Sequence, residues 1–170
     1  STHCISSAAS DVYKRQQENI PMSRKATMQA QPCPVARALD VIGDRWSLLI
    51  VRNAFDGMGR FGDFQKDLGI AKNILSDRLH KLLEQGILEA IPATDGSAYQ
   101  DYVLTAKGEA LFTLIVSLRQ WGEEYLFDKN EPHSLLVERA SGKAIPKMEA
   151  RSANGRKLNP ANTLVQKINS

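Results

Sequence analysis

Lys72, Asn73, Ser76, Asp77, Arg78, His80 and Lys81 crowd into one short stretch, interrupted by Ile74, Leu75 and Leu79. Most of these are side chains that read or grip a nucleic acid. An Asn amide can pair bidentately with adenine, a Lys can reach guanine or a phosphate, and a Ser hydroxyl can donate to either. Asp77 repels phosphates, so its expected partner is intramolecular or the amino group of a cytosine. Leu75, Leu79 and Leu82 repeat at the i, i+4, i+7 spacing of a helix core stripe. A rotation of 100° per residue then sets Asn73, Asp77 and His80 opposite the leucines, with Lys72, Ser76 and Lys81 flanking. An ordinary solvated helix face has the same pattern, and only the surrounding elements separate the two readings. Arg78, beside the apolar stripe, suits a phosphate contact or a structural salt bridge. Arg60 is open in the same way, as a phosphate anchor or a loop-stabilising residue.

A second chemistry is a thiol. Cys33 immediately precedes Pro34, and proline favours the first helical position, which makes Cys33 the expected N-cap. The positive end of the helix dipole there would favour a thiolate and redox reactivity; a half-buried thiol without a role is the alternative. Cys4 and Cys33 are the two cysteines, too few for a disulfide framework or a zinc cluster. His3, His80 and His133 are scattered, and no phosphate-cradling GxxxxGK[ST] loop occurs. Catalysis has no constellation to rest on. A thiol enzyme built on Cys33 would lack a base, and neither a metal nor a cofactor is expected.

The elements that must position these groups can be read in order. Residues 1–30 are Ser-, Ala- and Gln-rich without a hydrophobic period and read as a disordered leader. Ser7 to Gln16 resembles a translated cloning adapter, which points to Met22 or Met28 as the natural start. A helix follows from Pro34 to Ile42, stopped by Gly43, and Asp44 caps a second, apolar on nearly all sides, from Arg45 to Phe55. Phe61 to Leu68 forms a short third helix and Lys72 to Gln85 a fourth, closed by Gly69 and Gly86. Two strand-like runs, Ile87–Ile91 and Tyr99–Leu104, flank an Asp95-Gly96 turn signal. Thr105 opens a long helix from Ala106 to Phe127, with Leu111, Leu114, Ile115, Leu118, Trp121 and Tyr125 on one seam. That seam exceeds what so small a core needs, so it is read as core on one side and dimer interface on the other. Residues 134–168, with turns at Ser141-Gly142 and Asn154-Gly155, read as a small hairpin-like β extension.

Helix, helix, short helix, helix, strand, turn, strand, long helix is the order of a winged helix-turn-helix, mainly α with a small β-hairpin. In that arrangement the fourth helix enters the major groove of double-stranded DNA, and a two-fold dimer reads half-sites about one helical turn apart. No stretch approaches the roughly 20 apolar residues of a membrane span. With no secretory signal recognised, the cytoplasm is the expected location.

Net charge is +3, unevenly spread. Residues 33–127 hold ten Lys or Arg against thirteen Asp or Glu, and residues 128–170 hold eight against four. Any DNA contact by the central domain must therefore come from a local basic face and not from its overall field. The acidic balance keeps a second class in view, a winged helix that recruits a protein partner and meets DNA incidentally.

Several motifs together carry a family likeness: Cys33-Pro34-Val35, Ile42-Gly43-Asp44-Arg45-Trp46, Arg60-Phe61-Gly62-Asp63-Phe64, Leu75-Ser76-Asp77-Arg78-Leu79 and Tyr102-Val103-Leu104-Thr105 with Lys107-Gly108. Over residues 33–127 the chain resembles the HxlR-type winged-helix regulators. The resemblance implies a homodimeric transcription factor, a repressor by family habit. Some members respond to oxidants or electrophiles through a cysteine near the first helix, so an oxidant or small-molecule inducer is a candidate ligand, with Cys33 as the sensing residue. One departure stands out: where many such proteins carry arginines at the start of the wing, this chain has Glu89-Ala90-Ile91-Pro92.

Overall fold

A computed structural model describes residues 31–93 and 95–167. The expected leader, Cys4 and His3 lie outside the described residues. Helix α1 (Pro34–Ile42) begins in an amino-terminal unit, residues 1–40. The Cys33 carbonyl accepts from Arg37 N–H at 3.2 Å, which makes Cys33 the residue that starts the helix, and its free thiol is exposed.

The second unit, residues 41–170, carries the remaining elements. Helix α2 (Arg45–Phe55) starts because Asp44 takes an extended conformation and its Oδ1 accepts from the N–H groups of Trp46 and Ser47 at 3.1 and 3.0 Å. Those are two of the amides a helix start leaves without partners. Helix α3 (Phe61–Leu68) ends where Gly69 turns left-handed at φ 59°. Helix α4 (Lys72–Glu84) buries Leu75, Leu79 and Leu82. It closes in a Schellman turn: Gly86, at φ 62°, donates to Leu83 O at 2.9 Å, and Ile87 N–H reaches back to Leu82 O at 2.9 Å. The Lys107 ammonium and Thr105 hydroxyl donate to Gln85 O and Gly86 O at 2.6 and 2.7 Å, satisfying the carbonyls at that end.

Strands β1 (Leu88–Pro92) and β2 (Gln100–Leu104) pair antiparallel with Leu88 opposite Leu104 and Pro92 opposite Gln100, forming the wing. Tyr102 N–H donates to Gly59 O at 2.8 Å, which ties the wing to the loop between α2 and α3. Ile50, Val51, Phe64, Ile70, Leu75, Leu79, Leu82, Ile87 and Leu88 make the core. Mainly helical, with one two-stranded hairpin, the chain is a winged helix.

Beyond the wing the structure corrects the expected long helix. Thr105 does cap a helix, its Oγ1 accepting from Gly108 N–H at 3.2 Å, but α5 (Ala106–Glu109) is one turn long. The chain tightens at Leu111, whose N–H bonds Gly108 O three residues back at 3.0 Å, and resumes as α6 (Phe112–Tyr125). The reason is Gly108: a Cβ there would collide with Ile87 O, so α5 lies hard against the start of the wing and must turn before its successor can reach the core. The expected seam consequently divides. Leu111 and Ile115 pack on the core, whereas Leu114, Leu118, Trp121 and Tyr125 are 45, 49, 53 and 63% exposed.

Residues 131–167 contain two isolated antiparallel bridges, Val137 with Ala144 and Arg151 with Lys157, rather than paired strands, and a single 3-10 turn at Pro160–Asn162. The turns fall at Gly142 and Gly155, at φ 66° and 81°. This tract lies along α6. Gln120 donates to Pro146 O at 3.0 Å and accepts from Met148 N–H at 2.7 Å, Lys147 pairs with Glu124, and Arg119 donates to Ser134.

Candidate nucleic-acid interface

Helices α3 and α4, joined by Gly69, Ile70 and Ala71, form the helix-turn-helix, and α4 is its second helix. Lys72, Asn73, Ser76, Asp77 and His80 are all exposed, and Arg78 and Lys81 are half-buried. The three leucines that anchor the helix face the core, so the polar side is the side that solvent or a ligand meets. His80 Nε2 lies 3.2 Å from Glu84 Oε1, one turn along the same face.

Two arginines with open readings have intramolecular partners. Arg78 Nε lies 3.1 Å from Asp44 Oδ1, and its Nη1 donates to Asp77 at 2.7 Å. The recognition helix is thereby pinned to the start of α2. Burial works against the Asp44 charge, but the Ser47 hydroxyl and amide, then Arg78 and Lys81, outweigh it and hold the carboxyl below its ordinary range. Asp77 finds the intramolecular partner expected of it.

Arg60 sits just before α3 and reaches across to the wing, pairing with Asp101 and, at 2.9 Å, with Asp95 at the wing tip. The hydroxyl and backbone amide of Ser97, then Arg60, draw the Asp95 carboxyl down to about 2. This clasp gives Arg60 the loop-stabilising geometry and spends its charge inside the protein. Sequence reasoning placed Arg60 but not its partners. Asp95 and Asp101 lie on the far hairpin, and no local spacing signals them. Tyr99, exposed beside the wing tip, was also outside the sequence reading. On the wing, Glu89, Ala90 and Pro92 are exposed, so that face offers a phosphate no cation.

Among the described residues no three His, Cys, Asp or Glu side chains are placed to hold a metal ion, and no helix is long and apolar enough to cross a membrane.

With this geometry established, the profile of the HxlR-like helix-turn-helix family matches residues 41–130, from the end of α1 to just past α6. The chain belongs to the HxlR-like family. Among its relatives is an uncharacterized HTH-type transcriptional regulator of Mycobacterium tuberculosis, Rv3095, 47% identical over 92 residues. That match takes in 54% of this chain and 58% of the relative, so the HxlR-like chain spans little more than half the length of that curated protein. In three dimensions it is similar to PA1607, a candidate transcription factor by its description. The two share 53% identity and a TM-score of 0.79 over 83% of this chain and 99% of that one. It also resembles the redox regulator HypR in its reduced form, at 29% identity and a TM-score of 0.50, over 54% of this chain and 92% of that one. A DNA-binding regulator family is thus the setting in which α4 has to be understood.

Proposed function

We propose that this HxlR-like chain is a sequence-specific DNA-binding regulator of transcription and not an enzyme, acting in the cytoplasm as a homodimer and as a repressor. The observation that carries the reading is α4: its leucines are buried while Lys72, Asn73, Ser76, Asp77 and His80 stand exposed on the second helix of a helix-turn-helix. That helix in a winged fold presents its amino-terminal residues to base edges, with Asn73 suited to adenine and Lys72 to guanine or phosphate. Lys81 and Ser76 flank them, and Arg78 and Arg60 act by holding α4 and the wing in place. A gel shift on the protein's own promoter region, at graded salt, tests this. Specific retardation is expected, with log affinity falling by roughly 0.9 per neutralised phosphate for each unit of log salt. A specificity ratio near one would reject the reading.

The four exposed apolar side chains of α6 support the homodimer, because so long an apolar stripe is seldom left to water. Cys33 supports redox control: it is an exposed free thiol at the start of α1, and HypR, a structural relative, is described as a redox regulator. Cys33→Ser is expected to bind DNA normally yet ignore a mild electrophile that weakens wild-type binding; equal sensitivity would remove Cys33 from the account.

One observation favours a second reading, a protein-interaction module. The clasp of Arg60 by Asp95 and Asp101 leaves the wing without a free cation from that residue. Lys72→Ala with Asn73→Ala discriminates, since an interaction module keeps its function when both are lost.

A further inference from the structure

A partly open cleft of about 260 Å³ lies between α2 and α6. Leu48 and Leu49 line it from α2, Ile115 and Leu118 from α6, and the Phe127 and His133 rings, 4.9 Å apart, stand at its side. Packing leaves two of its features without an explanation. Gly122 lines the cleft within α6, yet a Cβ there would meet nothing within 4 Å, so no close approach requires a residue that weakens a helix. Arg52, also lining it, has a buried Nε with no hydrogen-bond acceptor among the described residues, although its Nη2 donates to Asp67 at 3.3 Å. The carboxylate on the lining, Glu123, is taken by Arg119 at 2.8 Å. The site therefore holds an unused donor, an apolar floor and space where a side chain is missing.

We propose that this cleft binds a small apolar ring compound carrying one carboxylate, with the ring over the leucines beside Gly122 and the carboxylate on Arg52. Size sets the class. A cavity of about 150 Å³ lined by Leu, Ile and Phe accepts benzene, and pockets for drug-sized ligands begin near 300 Å³; one ring or two fused rings fit between. Because α2 packs against both α4 and α6, an occupant touches the element that supports the recognition helix. Its service as an effector site rests on the DNA-binding reading above, whereas ligand binding itself does not.

The full chain, without DNA, is titrated with 2-naphthoate by calorimetry. Saturable binding is expected in the wild type, abolished in Gly122→Leu, whose side chain fills the cleft while its thermal midpoint holds or rises. Arg52→Met, which keeps the stem and removes the donor, weakens binding about tenfold or more. No saturation below about 1 mM, or wild-type binding by Gly122→Leu, overturns the site. If Gly122→Leu alters the sedimentation mass, a second copy fills the cleft and the ligand assignment falls. In the promoter gel shift, saturating 2-naphthoate then moves the wild-type midpoint and leaves that of Gly122→Leu; an unmoved wild-type midpoint removes the effector role. Calorimetry without DNA keeps failure of this site distinct from failure of DNA binding.

Discussion

Arg60 and Arg78 are the side chains whose roles the surroundings decide, and each is decided by a carboxylate distant in sequence. Around Arg60 the consequence is a pH response. Asp95 ionises at about 2 instead of its ordinary 3.8, so its charged form is favoured by the fold. A depressed carboxyl contributes stability that is complete above its unfolded value and lost as pH falls toward its folded one. The wing tip is thus expected to loosen between about pH 4 and 2, with carboxyl NMR placing the Asp95 midpoint near 2 in the wild type. In Arg60→Ala that midpoint moves up, while Ser97 continues to hold part of the shift; an unmoved midpoint would show that the clasp does not form in solution. Around Arg78 the consequence is mechanical. Asp44 caps α2 and anchors Arg78 at once, so Asp44→Ala is expected to cost about 1–2 kcal/mol in urea unfolding, the upper range for a lost N-cap. A change below about 0.3 kcal/mol, the usual effect of a surface substitution, would mean the cap is dispensable.

Local punctuation is legible in a sequence, and contacts between elements are not. Asp44, Gly69, Gly86 and Thr105 marked helix ends because capping involves a side chain and the few amides or carbonyls beside it. The three leucines of α4 marked its buried face for the same reason. The break between α5 and α6 escaped, since apolar residues continue across it and its cause, the approach of Gly108 to Ile87 O, joins residues far apart in the chain. The partners of Arg60 and Arg78 escaped likewise, and so did the burial of Leu111 and Ile115 apart from their neighbours on the seam. Substitution can test that cause. Gly108→Ala introduces the colliding carbon at a buried position and is expected to destabilise by about 1–3 kcal/mol, the range for overpacking. Leu79→Ala, which empties a position 2% exposed, should cost about 2–5 kcal/mol. If Gly108→Ala were neutral, the turn at Leu111 would need another origin.

Taken as one body, the chain has an acidic centre and a basic carboxy-terminal tract, and its largest apolar exposure lies on α6, away from the buried leucines that seat α4. Affinity for DNA cannot come from the overall field when residues 33–127 carry an excess of acid. It has to come from correct placement of a few side chains, and from using them twice. A homodimer supplies the second use: linking two half-site contacts makes the second one intramolecular and can raise affinity about 10²-fold or more with no new contact per subunit. The open stripe of α6 is the surface available for that pairing, with the Trp121 and Tyr125 rings packed 5.7 Å apart upon it. Leu114→Glu combined with Trp121→Glu leaves Leu118 and its cleft untouched and replaces exposed side chains only, so the fold should survive. Sedimentation is expected to give twice the 18.8 kDa chain mass for the wild type and a single chain for the double variant, with affinity for a two-half-site promoter reduced at least about 10²-fold. The wild-type thermal midpoint should also rise with protein concentration, as it does whenever association favours the folded state. A double variant that keeps the doubled mass would place the pairing surface elsewhere, and the exposed stripe would then need a different partner to explain it.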